Sequence, residues 1–346
     1  MKRALVWKNI LAWKQLLMKK VIVTGALGYL GSKLIEHLLI AFPEIEILAI
    51  DDLSSGNPKV LDLAEFPCAK LIRGDILDLN LPVYFENAQT VFHLAAVTDP
   101  SASFEDSSRV YRVNTEGTRC VAEACIKTGT VLVFPSTTSI YTGNGGGPII
   151  EDEAERWAGP QTPYADSKLK AEEFLEQLAA SSKLRYSTLR LGTVFGVSKG
   201  MHFRTAVQKF CLEAATSGTV TVWESSLDQR RPYCEIEDAV RAMIFLAENS
   251  DCAGKMFHAA SDHATVRKLT ELLKDFFPQL QIDLVKHQAM NLFSYEVSCE
   301  CLKKLGFQFK GSLRLGIEAV IRHQESTTKK RLTVCSEGKR IGARKI

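Results

Sequence analysis

The sequence contains no apolar run long enough for a membrane-spanning helix. Such a helix needs about 18–20 consecutive, mostly apolar residues, and polar or charged residues interrupt every apolar stretch well before that length. Hydrophobic residues make up 46% and charged residues 24% of the 346 residues, close to the globular average. The chain is therefore predicted to be globular and without a membrane span.

A disulfide framework is also missing. The nine cysteines are odd in number and scattered along the chain, which favours a reducing compartment and predicts a cytoplasmic protein. The one close pair, Cys299 and Cys301, has a single residue between its members. Zinc-binding pairs usually have two or more and need two further ligands nearby, so no metal site is predicted.

Positive charge is scarce except at the two ends. Residues 1–20 hold six Lys or Arg and no acid, and residues 323–346 hold seven against two acids. The body of the chain, 21–322, is left with a net charge of −8 although the whole chain has +3. A basic footprint across the fold is absent, which disfavours a nucleic-acid-binding protein.

The two ends lack a sustained structural pattern. Residues 1–18 form a short basic amphipathic segment, which suits either a helix on a membrane surface or an N-terminal extension that is not translated, with Met18 as the true start. The tail, 323–346, has little apolar periodicity and is predicted to be disordered.

Between the ends, short apolar strands alternate with helical periodicity. The predicted strands are 21–23, 45–50, 70–72, 90–94, 131–135 and 186–191, and the predicted helices are 29–40, 114–126 and 162–180. This alternation predicts an α/β fold, with a Rossmann-type doubly wound parallel sheet mainly over 19–196. Helical stretches near 203–216, 236–248, 266–276 and 312–322 indicate a smaller C-terminal α/β lobe for the substrate, mainly over 197–322.

The strongest local signal is a glycine-rich turn between the first strand and the first helix. Gly25, Gly28 and Gly31 follow a GxxGxxG spacing, and a helix that starts there offers N–H groups and a positive dipole to a pyrophosphate. The second strand ends at Asp51 and Asp52, where a carboxylate accepts hydrogen bonds from ribose hydroxyls and repels a 2′-phosphate. The pattern predicts NAD rather than NADP; the alternative is a set of turn glycines without a cofactor.

A second constellation carries acid–base chemistry. Tyr164 and Lys168 are four residues apart on one face of a predicted helix. An ammonium beside a phenol lowers the pKa of the phenol, so Tyr164 could take a proton from a substrate hydroxyl while hydride leaves the same carbon. The hydroxyl residues Ser136 to Ser139 follow the fifth strand, where they serve either the reacting oxygen or simple turn chemistry.

In this order the three motifs resemble the extended short-chain dehydrogenase/reductase family, in its NAD-dependent epimerase/dehydratase branch. The resemblance covers about residues 21–322. Its further matches are the ribose loop at 51–56, the adenine segment at 74–76, the strand end at 93–96, the asparagine region at 114–118 and the substrate-lobe motif at 231–239.

The resemblance implies a role for each matched residue. Tyr164 is the acid/base and Lys168 its partner and a ribose ligand. Thr137 supplies the catalytic hydroxyl, with Ser136 as its nearest rival. The implied NAD-binding residues are Gly25, Gly28, Tyr29, Leu30, Gly31, Asp51, Asp75, Ile76, Leu94, Ala95, Ala96 and Lys168, and the implied substrate-binding residues are Thr137, Tyr164, Thr193 and Arg231. Arg231 either meets a nucleotide-sugar phosphate or forms a surface ion pair.

The chain departs from the family pattern where the reaction is decided. The family's sugar 4,6-dehydratases carry Asp and Glu after the catalytic threonine, where this chain has Thr138 and Ser139. Its sugar-acid decarboxylases keep a glutamate at the position of Ser139, so both chemistries are disfavoured. Its epimerases usually have an asparagine where Thr193 stands, and the later Arg and Asp that close on the nucleotide are unclear, with Lys286 as a stand-in.

The predicted function is NAD-dependent epimerisation of a nucleotide sugar, most simply at carbon 4, through transient oxidation to a keto sugar. A nucleotide-sugar dehydrogenase or keto-sugar reductase would use the same catalytic residues. A non-catalytic NAD-binding regulator or scaffold is the alternative from another class. The resemblance also implies a homodimer formed by helices 114–126 and 162–180, for which Leu169, Phe174, Leu175 and Leu178 offer apolar surface.

Overall fold

The computed structural model describes residues 18–54, 67–143, 146–286 and 293–326. The predicted N-terminal extension up to residue 17 and the tail beyond residue 326 lie outside these ranges. Met18, which the prediction assigned to the extension, is buried in the core beside the first strand. The last helix runs to residue 326, so the first four residues of the predicted tail are helical.

Fourteen strands and ten α-helices are formed by these residues. The strands are β1 (Lys20–Thr24), β2 (Glu46–Asp51), β3 (Ala69–Arg73), β4 (Thr90–His93), β5 (Val131–Thr137), β6 (Pro148–Ile149), β7 (Tyr186–Leu191), β8 (Thr193–Phe195), β9 (Thr219–Trp223), β10 (Arg230–Glu235), β11 (Lys255–Ala259), β12 (Asp262–Thr265), β13 (Gln281–Val285) and β14 (Glu296–Val297). The helices are α1 (Tyr29–Ala41), α2 (Leu81–Phe85), α3 (Ser107–Tyr111), α4 (Gly117–Thr128), α5 (Pro163–Ser181), α6 (Ala206–Ser217), α7 (Ile236–Glu248), α8 (Val266–Lys274), α9 (Glu300–Lys304) and α10 (313–326).

Seven strands build a parallel sheet in the order β11-β7-β5-β4-β1-β2-β3. The strand order reverses between β1 and β4, so the loops after these two strands leave toward opposite faces of the sheet. Ligands of open α/β sheets bind in the crevice that this divergence creates at the carboxyl ends of the strands. The predicted Rossmann-type sheet is confirmed.

The core lies on both faces of this sheet, because successive residues of a strand point to opposite sides. Val21 and Val23 pack with α1 and α7 in one apolar cluster, whereas Ile22 packs with α4 and α5 in another. All three side chains are fully buried. Helices therefore cover both faces, as parallel sheets require.

The division of the chain at residue 196 is not strict, because segments on each side of it belong to the other part of the fold. After β8, α6 and β9 the chain returns to the main sheet, where α7 packs against the sheet and β11 pairs with β7 as the seventh strand. A third apolar cluster joins α6, β9, α8 and α10 in the smaller lobe, which also holds the three-stranded sheet β12-β10-β8.

One predicted helix is interrupted. Over 114–126 the sequence predicts a continuous helix, but a π-helical turn (Arg112–Glu116) links α3 to α4. Asn114 in this turn accepts a hydrogen bond from Val97 N at 2.8 Å and donates to Val97 O at 2.9 Å and to Ser167 Oγ at 2.9 Å. The wider turn thus places one amide between the loop after β4 and helix α5.

Among the helices of the described residues, none is both long enough and apolar enough to cross a membrane.

Helix α1 offers a direct test of which face supports the fold. Leu34 is fully buried, whereas Ile40 on the same helix is 64% exposed. Truncation of a buried leucine removes apolar contacts and leaves a cavity, so L34A is expected to lower the free energy of unfolding by about 2–5 kcal/mol. Urea unfolding measures this loss. I40A is the matched control, and a loss in I40A equal to that in L34A would contradict the described packing of α1.

Candidate active site

The glycine turn lies at the point where the strand order reverses. Gly25 has φ +64°, and a Cβ at this position would lie 2.6 Å from the backbone of Leu94 and Ala95. The turn after β1 is therefore pressed against the loop after β4, and a side chain would separate them. Helix α1 starts directly afterwards at Tyr29, so its N-terminal N–H groups face the crevice.

The two acidic residues at the end of β2 have different surroundings. Asp51 is buried, and its carboxylate accepts hydrogen bonds from Leu27 N at 2.9 Å and Leu53 N at 2.8 Å. Asp52 is exposed and accepts hydrogen bonds from the backbone and hydroxyl of Ser54. Each carboxylate oxygen of Asp51 keeps a second lone pair for a ligand, so Asp51 rather than Asp52 is the candidate for ribose hydroxyls.

A cavity of about 1870 Å³ runs along the carboxyl ends of the strands into the smaller lobe. This volume exceeds the roughly 300–1,000 Å³ of a single small-ligand site and accommodates two nucleotide-sized ligands. Every residue predicted for cofactor, catalysis or substrate lines it: Gly25, Gly28, Tyr29, Leu30, Gly31, Asp51, Asp75, Ile76, Leu94, Ala95, Ala96, Thr137, Tyr164, Lys168, Thr193 and Arg231. Lys286, the proposed stand-in, does not line the cavity.

Thr137 and Tyr164 meet in the middle of the cavity. Thr137 ends β5, Tyr164 lies in the first turn of α5, and their side chains are hydrogen-bonded. Thr137 Oγ1 also accepts a hydrogen bond from Ser139 N at 3.1 Å, which orients the hydroxyl. Ser136, the rival for the catalytic role, also lines the cavity, but its hydroxyl donates to the carboxylate of Glu172 on α5. The geometry therefore favours Thr137.

The pKa of Tyr164 moves in the opposite direction from the sequence expectation. Burial raises the pKa of Tyr164 to about 12, and the hydrogen bond to Thr137 opposes this rise. Lys168 is itself buried and donates to Pro135 O at 2.9 Å, with its ammonium 4.4 Å from the centre of the Phe134 ring. Desolvation lowers the pKa of Lys168 to about 8.

His93 forms the floor of the site at the end of β4. Its Nδ1 lies 2.8 Å from Thr24 Oγ1, and its Nε2 lies 3.0 Å from Thr118 Oγ1, whose hydroxyl donates to Asn114 O. Nε2 therefore carries the proton, and burial lowers the pKa of His93 to about 3. The imidazole is a neutral structural link between β1, β4 and α4.

The substrate end of the cavity is aromatic and cationic. Arg231 lies with its guanidinium carbon 5.0 Å from the centre of the Tyr295 ring and donates to Gln229 Oε1 at 2.9 Å. Tyr295 and Trp223 also line the cavity. A guanidinium beside aromatic rings is a chemistry that suits phosphate recognition.

The sequence reading missed the segment that follows β8. Residues 198–202 line the cavity beside the glycine turn, and Gly200 N donates to Ser32 Oγ at 3.1 Å. A Cβ at Gly200 would lie 2.5 Å from Gly28 O. Tyr29 reinforces the contact, because its hydroxyl donates to Gly196 O at 2.7 Å. Ser198 and Gly200 gave no distinctive signal in the sequence, and their spacing does not reveal a partner such as Ser32, which is 168 residues before Gly200.

Comparison with known proteins gives these features a common origin. The model of the NAD dependent epimerase/dehydratase family matches residues 21–260, which span the main sheet and the glycine turn. The chain belongs to this family. Its members of the extended short-chain dehydrogenase/reductase type include the relatives described next.

The chain is similar to nucleotide-sugar enzymes of several kinds. A trifunctional UDP-glucose 4,6-dehydratase/UDP-4-keto-6-deoxy-D-glucose 3,5-epimerase/UDP-4-keto-L-rhamnose-reductase of Arabidopsis thaliana is 26% identical over 87% of this chain, which spans 46% of that relative's length. A UDP-glucose 4-epimerase of Mycolicibacterium smegmatis is 29% identical over 65% of this chain and 72% of its own. The solved structure of MoeE5 in complex with UDP-glucose and NAD has a TM-score of 0.77 and 25% identity, covering 89% of this chain and 99% of that one.

NAD, the cofactor of this family, fits the residues present. The N-terminus of α1 accommodates a pyrophosphate because no side chain occupies the Gly28 position. The Asp51 carboxylate would hold the ribose of the adenosine half, with Asp75 and Ile76 beside it in the cavity wall. Lys168 would hold the ribose of the nicotinamide half.

Asp51 should decide the choice between NAD and NADP. The wild-type protein is expected to bind NAD and to bind NADP poorly, because a carboxylate repels the 2′-phosphate. D51A and the isosteric D51N should each weaken NAD binding about tenfold or more, since a hydrogen bond to a charged group is lost, and should narrow the difference between the two cofactors. Calorimetric titration measures both affinities. D52A is the control, because the exposed Asp52 is engaged with its own loop; a D52A effect as large as that of D51A would reject this assignment.

Proposed function

We propose that the protein epimerises a nucleotide-linked sugar at one carbon, most simply carbon 4, without net oxidation. The proposal is carried by the cluster of Thr137, Tyr164 and Lys168, which lies between the glycine turn and the cationic end of the same cavity. Arg231 lines that end of the cavity, where its guanidinium would meet the phosphates of the nucleotide sugar. The relatives named UDP-glucose 4-epimerase and the structure with UDP-glucose and NAD support this substrate class.

The mechanism assigns one proton transfer to each half of the reaction. Bound NAD supplies a reversible hydride acceptor and a positive charge within the cavity. Tyr164 takes the proton of the sugar hydroxyl, and the same tyrosine returns it after the sugar has presented its other face. Thr137 holds the reacting oxygen by a hydrogen bond, and the ammonium of Lys168 favours the phenolate electrostatically. The raised pKa of Tyr164 means that these positive charges are needed for deprotonation.

Hydroxyl groups at the next two positions support epimerisation over dehydration. Thr138 is buried, and Ser139 lines the cavity. Removal of water from a sugar needs a general acid and a general base on neighbouring carbons. Neither Thr138 nor Ser139 carries a carboxyl group for that task, which disfavours the dehydratase and decarboxylase reactions of other family members.

The contact between residues 198–200 and the glycine turn supports epimerisation over a dehydrogenase or reductase. An enzyme that exchanges its cofactor at every turnover must open the cofactor crevice each time. Here Gly200 and Ser198 are hydrogen-bonded to Ser32 of α1, and Gly200 packs directly on Gly28. This closed contact fits a cofactor that remains bound, as a reaction without net redox allows.

A panel of nucleotide sugars tests the proposal. The purified protein is incubated with UDP-glucose, UDP-N-acetylglucosamine, UDP-glucuronic acid and dTDP-glucose, and products and the absorbance of reduced cofactor are followed together. An epimer formed without accumulation of reduced cofactor supports the proposal. Stoichiometric cofactor turnover would support the dehydrogenase or reductase, and cofactor binding without any product would support the regulator or scaffold.

The homodimer remains a prediction. Leu175 is fully buried in the chain's own core, and Phe174 and Leu178 pack against the same cluster in part. Leu169 packs partly against a separate cluster, so α5 has a limited apolar surface left for a partner. We expect a dimer through α4 and α5 nonetheless, and light scattering that finds only the single-chain mass at micromolar concentration would reject it.

Tyr164 should carry the reaction. Loss of a general acid–base group costs about 10²–10⁴-fold in rate, so Y164F is expected to lose turnover in this range while the protein remains folded and binds NAD. T137V should cost less, because it removes a hydrogen bond and not the base. Y111F is the control. Tyr111 does not line the cavity, and its hydroxyl donates to Asp166, which lies on the same helix as Tyr164. Wild-type turnover in Y164F would show that the base lies elsewhere.

A further inference from the structure

Three side chains of helix α5 contact three consecutive residues at the end of β5, Pro135 to Thr137. Tyr164, Lys168 and Glu172 recur every four residues and so lie on one face of the helix. The contacts are Tyr164 with the hydroxyl of Thr137, Lys168 with the carbonyl of Pro135, and Glu172 with the hydroxyl of Ser136. The first two involve residues of the proposed reaction, and the third lies one turn deeper in the fold.

Glu172 is held in place from a second strand. Arg190 of β7 is the register partner of Ser136 on β5, so both point at the same carboxylate. The guanidinium donates through Nε to both Glu172 oxygens, at 3.1 and 2.9 Å, and through a second nitrogen at 2.7 Å. Arg190 and Glu172 are buried. A buried ion pair with this many hydrogen bonds fixes one geometry, because either partner alone would be an uncompensated charge.

The same arginine reaches the loop that carries Ser139. Arg190 donates to the hydroxyl of Tyr141 at 2.7 Å, and Tyr141 directly follows the 3₁₀ turn that begins after Thr137. The Tyr141 hydroxyl is also hydrogen-bonded to Nε2 of His258 on β11. A buried polar network therefore runs beneath the catalytic cluster, from α5 through β7 to the sheet edge.

Lys168 faces ionisable groups on its own helix and on β4. On its own helix it faces Tyr164 and Glu172, and from β4 it faces His93, which burial keeps neutral by lowering its pKa to about 3. Among the groups acting on Lys168, the Glu172 carboxylate supplies the negative charge. Desolvation lowers the pKa of Lys168 to about 8, and Glu172 opposes this lowering.

We propose that Glu172, held by Arg190, is a positioning residue that keeps Lys168 charged and fixes the register of α5 against the end of β5. It does not touch the cavity and acts through Lys168 and Ser136. Its importance for turnover rests on the proposed function, whereas its effect on Lys168 does not.

The test measures NAD affinity as a function of pH, which needs no sugar substrate. Wild type, E172Q, E172D and the control E173Q are titrated with NAD by calorimetry between about pH 6 and pH 10, a range that brackets the titration of a perturbed lysine. Glu173 is the exposed neighbour on the same helix, and E173Q removes the same charge. The double variant E172Q/R190M removes both buried charges and serves if E172Q leaves Arg190 unpaired and fails to fold.

The wild-type affinity is expected to fall above about pH 8, as Lys168 loses its proton. In E172Q and in E172Q/R190M the fall should begin about one pH unit lower or more, because an opposite charge close to the ammonium is missing. E172D keeps the charge, so it should retain the wild-type pH dependence, with weaker binding at all pH values because the shorter side chain draws α5 out of register. E173Q should superimpose on wild type.

Two results would overturn the proposal. One is a pH dependence in E172Q or the double variant that coincides with wild type. The other is a shift in E173Q as large as that in E172Q, which would show a general effect of surface charge. If none of the nucleotide sugars reacts, the pH titration still tests the role of Glu172, because it measures cofactor binding alone.

Discussion

The structure depends on the close backbone contact between the turn after β1 and the loop after β4. Gly25 makes this contact possible, since any Cβ there would overlap the backbone of Leu94 and Ala95. Because the strand order reverses at this point, the two loops diverge beyond the contact. The crevice for the cofactor lies there, at the carboxyl ends of the strands. The N-terminus of α1, the carboxylate of Asp51 and the end of β5 all face the same cavity as a result.

The proposed catalytic cluster is built from two elements, strand β5 and helix α5, which meet at the wall of this cavity. Strand β5 carries Thr137 and helix α5 carries Tyr164 and Lys168, so the distance between the groups depends on how the helix packs on the strand. Burial raises the pKa of Tyr164 and lowers that of Lys168. Both shifts oppose catalysis by the isolated protein, and nearby charges must counter them. The buried pair of Glu172 and Arg190 provides one such charge and a fixed register.

The smaller lobe completes the site by covering it. Gly200 and Ser198 are joined to α1, and Tyr29 is joined to Gly196, so the start of the lobe is tied to the glycine turn. The chain then returns to the main sheet through α7 and β11 before building the rest of the lobe. Two segments distant in sequence thus enclose one cavity, which suits a reaction in which the cofactor stays bound.

Local pattern determined much of this protein. Alternating apolar strands and helices predicted six of the seven strands of the main sheet, with ends within two residues of those observed, because buried parallel strands are short continuous apolar runs. The seventh strand, β11, was not predicted. The glycine spacing and Asp51 predicted the cofactor of the family, and the Tyr164–Lys168 pair predicted a candidate acid–base group, because these motifs place their groups through one turn or one helix face. Tertiary structure alone decided what depends on distant contacts. It showed that the hydroxyl of Ser136 is engaged by Glu172, that Arg190 is buried away from the cavity, and that Gly200 packs against the glycine turn. It also set the direction of the Tyr164 pKa, since burial is a property of the packed chain and not of a four-residue spacing.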